Sequence, residues 1–176
     1  MEYDPRFSVF SAVCVAEFLG LSGLKDGSVP KPQAGGRIIY LPPCIQSLGA
    51  LRGTKAPMHQ QDWYGKYPHS AKPGYWEVIL PIPDSNRKNQ SQQDQVVPPG
   101  FGRTPVLVDA LLLSVYKLAT GEDLLDNDWV RCPEQTSDGH RFFLAFDDGL
   151  LCVGSYWYGD GPFGEVWASA ARWICA

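Results

Sequence analysis

The chain lacks the features that most readily assign a function. Its five cysteines (Cys14, Cys44, Cys132, Cys152 and Cys175) are odd in number, widely spaced and never arranged as CxxC, which argues against a disulfide framework and against a ribbon-type zinc site. Cys132, His140 and Cys152 match no recurrent zinc spacing, and Asp126-Asn127-Asp128 lacks the glycine and distal glutamate of a calcium loop. Neither a metal nor a cofactor is therefore expected. The longest apolar stretch is interrupted by Asp109 and Ser114, so no membrane span is expected, and the start Met-Glu-Tyr-Asp-Pro lacks the basic and apolar regions of a signal peptide. These absences lead to the expectation of a cytoplasmic protein, in a bacterium or an infected host cell. There is no internal repeat.

A basic excess is also missing. The net charge is −4 (15 Lys and Arg, 19 Asp and Glu), divided as ten basic against eight acidic residues over 1–100 and five against eleven over 101–176. The C-terminal part is thus acidic and repels phosphate backbones, which argues against nucleic acid as a direct ligand and favours a partner protein with a basic surface.

What is present points to a folded globule. The hydrophobic fraction is 44%, with six Trp, while fifteen Pro and eighteen Gly imply many turns and short strands. At 176 residues one core is the expectation, hence a single domain over 1–176 of class α+β. Its centre is a hairpin over 140–158, in which Asp148-Gly149 suits the two positive-φ positions of a type I′ turn. That turn pairs Asp147 with Leu150, Phe146 with Leu151, Leu144 with Val153 and Phe142 with Ser155. One face then carries Phe142, Leu144, Phe146, Leu151, Val153 and Trp157 and should pack inward.

Further strands are read at 36–41, 75–80 and 129–132, and residues 165–174 are open between strand and helix. An antiparallel sheet of about five strands follows, covered by two helices at about 5–19 and 105–120. The first rests on Asp4-Pro5 as a start and on the near-helical spacing of Phe7, Phe10, Cys14, Phe18 and Leu21, against a competing strand reading from Phe7, Val9, Val13 and Val15. The second runs from Val106 to Thr120, is apolar on nearly every side, and ends at Gly121. Long loops are expected at 53–74 and 83–103. Within the latter, residues 85–95 hold no apolar side chain and are expected to be flexible.

Trp129, Pro133, Asp148-Gly149, Tyr156 and Arg172-Trp173 together resemble the DUF551-type module common in phage and prophage genes. In that module a Trp-led strand and a Pro precede a DG hairpin, a tyrosine and a closing strand ending in Arg-Trp or His-Trp. The resemblance covers 129–173 and implies a small β module of mobile-element origin with no known activity.

Three functions are weighed on these residues. The first is a non-enzymatic protein-binding module of phage or bacterial mobile-element origin, with inhibition of a host defence protein as one way of acting. Its docking surface would be acidic (Asp126, Asp128, Asp147, Asp148) or aromatic (Trp63, Tyr64, Tyr67), since Trp and Tyr are favoured interface anchors. The second is a papain-like or NlpC-like thiol hydrolase using Cys14, His140 and Asp147 as nucleophile, base and orienting group. Against it, Cys14 is read as mid-helix and buried, whereas such nucleophiles stand at helix N-termini. The third is a phage structural or assembly protein.

Overall fold

The computed structural model describes residues 5–33, 35–65, 71–125, 128–137, 139–156 and 165–174. A 3-10 turn at Pro5–Phe7 leads into β1 (Val9–Phe10), α1 (Ala12–Leu19), β2 (Arg37–Leu41), α2 (Leu48–Arg52) and a second 3-10 turn at Asp62–Gly65. Then come β3 (Gly74–Ile79), α3 (Gln90–Gln95), β4 (Gly102–Arg103) and α4 (Val106–Thr120). The chain closes with β5 (Trp129–Gln135), β6 (Arg141–Asp147), β7 (Leu150–Tyr156), β8 (Val166–Ala168) and β9 (Ala170–Ile174). The class is α+β.

The single antiparallel sheet expected from sequence is instead two sheets. One has the order β1-β2-β3-β9-β4 and the other β7-β6-β5-β8. Neither is purely antiparallel, because β1 runs parallel to β2 and β8 parallel to β5. The division falls at Ser169, where one extended stretch leaves the second sheet as β8 and enters the first as β9. Residues 165–174 are therefore strand, broken once.

Between the sheets lies α4. Every residue from Val106 to Tyr116 is buried, and the helix packs on α1, α2 and β2 on one side and on β5, β6 and β7 on the other. Fully burying each of Leu107, Leu111, Leu112 and Leu113 contributes about 1.5–3 kcal/mol. The boundaries match those read from sequence, with Gly121 in the left-handed region (φ 79°) donating its N–H to Lys117 O.

The hairpin also forms as read. Asp148 (φ 49°) and Gly149 (φ 74°) make the turn, and pairing runs from Asp147 with Leu150 to Arg141 with Tyr156. Phe142, Leu144, Phe146, Leu151 and Val153 are buried against α4. The opposite face is covered too, since Phe143 and Ala145 are buried and the Arg131 guanidinium lies 5.7 Å from the Phe143 ring centroid.

Two elements differ from expectation. Helix α1 begins after Ser11, not Asp4, because Ser11 Oγ accepts from Cys14 N and Asp26 accepts from Val13 N, while Val9–Phe10 pair with β2. Within the stretch expected to be a flexible loop, residues 90–95 form α3. Asn89 and Gln92 make a capping box, and the buried Gln93 donates to Ser85 O and Val166 O and accepts from Arg131 at 3.2 Å. Composition alone hides this, because what orders the segment is a polar partner 38 residues away.

Candidate functional site

An acidic end forms where α4 finishes. The last turns of α4 bring Tyr116 and Lys117 to the floor of a cleft of about 700 Å³, and Gly121 turns the chain so that Glu122 and Asp123 line its rim. Pro81, just after β3, contributes from the first sheet; Asp128 and Trp167 contribute from the second. The cleft therefore opens between the two sheets. Trp167 is half-buried and its indole Nε1 donates to Asp128 Oδ2 at 2.6 Å, which fixes the ring on that wall. Tyr116 is held from behind by Phe7, edge-on at 6.1 Å, and by the Arg37 guanidinium 5.6 Å from its ring centroid.

The hairpin turn stands at the same end. Lys117 Nζ lies 2.8 Å from Asp123 Oδ1 and 5.8 Å from the ring of Phe146, one residue before Asp147. The Asp147 side chain is 73% exposed and Asp148 is exposed on the turn that follows. Glu122, Asp123 and Asp128 thus share the cleft, supplied by the exit of α4 and the approach to β5, while Lys117 is taken up by Asp123; Asp147 and Asp148 stand on the β6-β7 turn and are not among the lining residues. Asp126 lies outside the described residues. Such an arrangement draws cations by its summed field and presents a planar ring beside carboxylates.

Asp147 has a neighbour that spacing did not reveal. His59 Nε2 is 3.7 Å from Asp147 Oδ2, because Pro57 to His59 run along the free edge of β7, with Leu151 N donating to Pro57 O and His59 N to Leu151 O. No local signal in 53–74 marks this pairing. The aromatic loop is corrected in one respect: Tyr64 is fully buried, its hydroxyl accepting from Val153 N at 3.1 Å, so it holds the loop to β7 and is not a free anchor. Tyr67 and the Trp63 side chain lie outside the described residues.

The thiol-hydrolase constellation is not assembled. His140 precedes β6 and Asp147 ends it, so the two lie about 23 Å apart at an ordinary strand rise. Cys14 is on α1, which packs on α4 and β2. The expectation that Cys14 is mid-helix is itself corrected, since it is the third residue of α1 and donates its N–H to the Ser11 cap. The thiol is nevertheless not activated, because burial, then Glu17 and Asp26, push its pKa up. Burial and Asp147 likewise raise the Cys152 thiol, and Cys132 is completely buried with its thiol pushed well up. Among the described residues, no group of three or more His, Cys, Asp or Glu side chains is placed to hold a metal ion, and no helix is long and apolar enough to cross a membrane.

No protein-family model, curated protein or solved structure matches the chain.

Proposed function

We propose that this protein is a non-enzymatic binding module that docks through its acidic end on a partner protein with a basic surface. The observation that carries this reading is the gathering of Glu122, Asp123 and Asp128 round an open cleft, with Asp147 and Asp148 exposed on the β6-β7 turn. A basic side chain of the partner enters between Trp167 and the carboxylates, where cation-π contact and a charge-assisted hydrogen bond act on the same group. The exposed turn carboxylates steer the encounter. The likeness of 129–173 to a phage and prophage module supports a mobile-element origin and a host protein as partner, with inhibition of a defence protein as a consequence of docking.

The test is affinity capture from bacterial lysate with the wild-type chain and with Glu122→Lys/Asp147→Lys in parallel. A stoichiometric basic protein held by the first and lost by the second is the expected result. A partner retained equally by both excludes the acidic end as the docking surface.

A further inference from the structure

We propose that the junction between the two sheets is a proton-controlled latch: Asp109 ties α4 to the strand that changes sheets at Ser169, and ionising that enclosed carboxyl destabilises the junction by burying a charge with no bonded cation, even though the Ser169 hydrogen bond by itself favours the ionised form. Ser169 alone separates β8 in one sheet from β9 in the other. It is completely buried; its hydroxyl donates to Asp109 Oδ2, and its carbonyl accepts from Thr104 N at 3.4 Å. The first turn of α4, the residue following β4 and the crossing strand therefore meet at one side chain.

Asp109 is also completely buried, and its Oδ1 has no hydrogen-bond partner. The groups facing it are Arg103 from β4, Cys132 and Glu134 from β5, and Ser169 from the junction. Arg103 is the cation among them, but its two terminal nitrogens are committed to Asp94 Oδ1 and to Arg131 O. Glu134 brings more negative charge. An interior carboxylate with one hydroxyl donor and no bonded cation is strongly disfavoured against the neutral acid. Burial, with Glu134 adding to it against Ser169 and Arg103, accordingly pushes the Asp109 carboxyl well above its ordinary value. Trp167, two residues before Ser169, lines the acidic cleft, so the latch bears on that wall; the inference itself stands without the docking reading.

The sign follows from proton linkage. An unfolded Asp loses its proton near pH 3.9, whereas folded Asp109 keeps it, so the folded chain binds one proton more over the window between the two values. Stability contributed by the neutral acid is complete below the unfolded value and falls as pH rises. The folded-to-unfolded ratio drops by about tenfold per pH unit until the folded value is passed. Asp109→Asn keeps an acceptor oxygen for Ser169 and cannot ionise.

Urea unfolding of wild type and Asp109→Asn from pH 4 to pH 9 tests this. The wild-type ratio should fall relative to the variant by about tenfold per unit and then level, and parallel profiles would overturn the proposal. Hydrogen exchange at the Thr104 amide, corrected for base catalysis, should become faster in wild type than in the variant at high pH; equal rates contradict the latch. If the variant does not fold, the carboxyl carbon of Asp109 in the wild-type chain decides by NMR. A titration midpoint above the ordinary Asp value is expected, and one at or below that value overturns the idea.

Discussion

At its N-terminal end α4 carries the completely buried Asp109 and meets the half-buried Glu134 of β5. At its C-terminal end it meets Glu122, Asp123 and Asp128, arranged round a cleft that opens to solvent. The enclosed pair serves the fold. Pro105 offers no side-chain cap, so Glu134 Oε1 accepts from Val106 N at 2.9 Å in its place, and Asp109 holds the sheet junction. Burial pushes the Glu134 carboxyl up, as it does that of Asp109. The open carboxylates make few such commitments: Asp123 meets Lys117, Asp128 meets the Trp167 indole, Asp147 lies 3.7 Å from His59 Nε2, and Asp148 is exposed. The two ends of one helix thus meet acidic groups that serve two purposes, and burial separates them.

The comparison breaks most visibly on the enclosed side. Replacing residues 85–95 by a Gly-Ser linker removes Lys88 O and Gln93 Oε1 from the buried Arg131 guanidinium, and should cost roughly 3–5 kcal/mol in urea unfolding. A loss under 1 kcal/mol would show that the segment is only a solvated loop. Next in size, Glu134→Ala leaves the first N–H of α4 without its acceptor, at about 1–3 kcal/mol by the same measurement. Tyr64→Phe deprives Val153 N of its acceptor on the outer edge of β7 and belongs in that range or below it. On the open side, Glu122→Lys/Asp147→Lys should change stability by less than about 0.5 kcal/mol. Smallest of all is the effect of Cys14→Ala on binding, which should be nil, with slow iodoacetamide labelling of Cys14 in the native chain; fast labelling at neutral pH would revive a reactive thiol.

What was legible in the sequence was what is decided locally. Asp148-Gly149 sets the hairpin register because the turn itself demands positive φ, and α4 is bounded by its own Thr-Pro start and Gly121 stop. The pieces that escaped depend on distant partners. Whether 165–174 is strand or helix is settled by strands far off in the chain, β5 pairing with β8, and β3 and β4 with β9. The all-polar 90–95 becomes a helix because Arg131 and Val166 receive Gln93. Val9 and Phe10 read as helix until β2, 29 residues on, pairs with them. Of the candidate site, Asp128, Asp147 and Asp148 could be named from charge alone. The meeting of Asp128 with Glu122, Asp123 and Trp167 round a cleft needed the two-sheet arrangement, and the approach of His59 to Asp147 needed the pairing of residues 57–59 with β7.

The central claim is that the open end of α4 is the binding end. Titrating the chain with an arginine-rich peptide at two ionic strengths, while following the Trp167 indole Nε1–H resonance and the amides of residues 147–149, tests it most directly. The account predicts shifts at both places that saturate, weaken at higher salt and are largely lost in Glu122→Lys/Asp147→Lys. Shifts confined to other indoles, or binding that the variant retains in full, would contradict it.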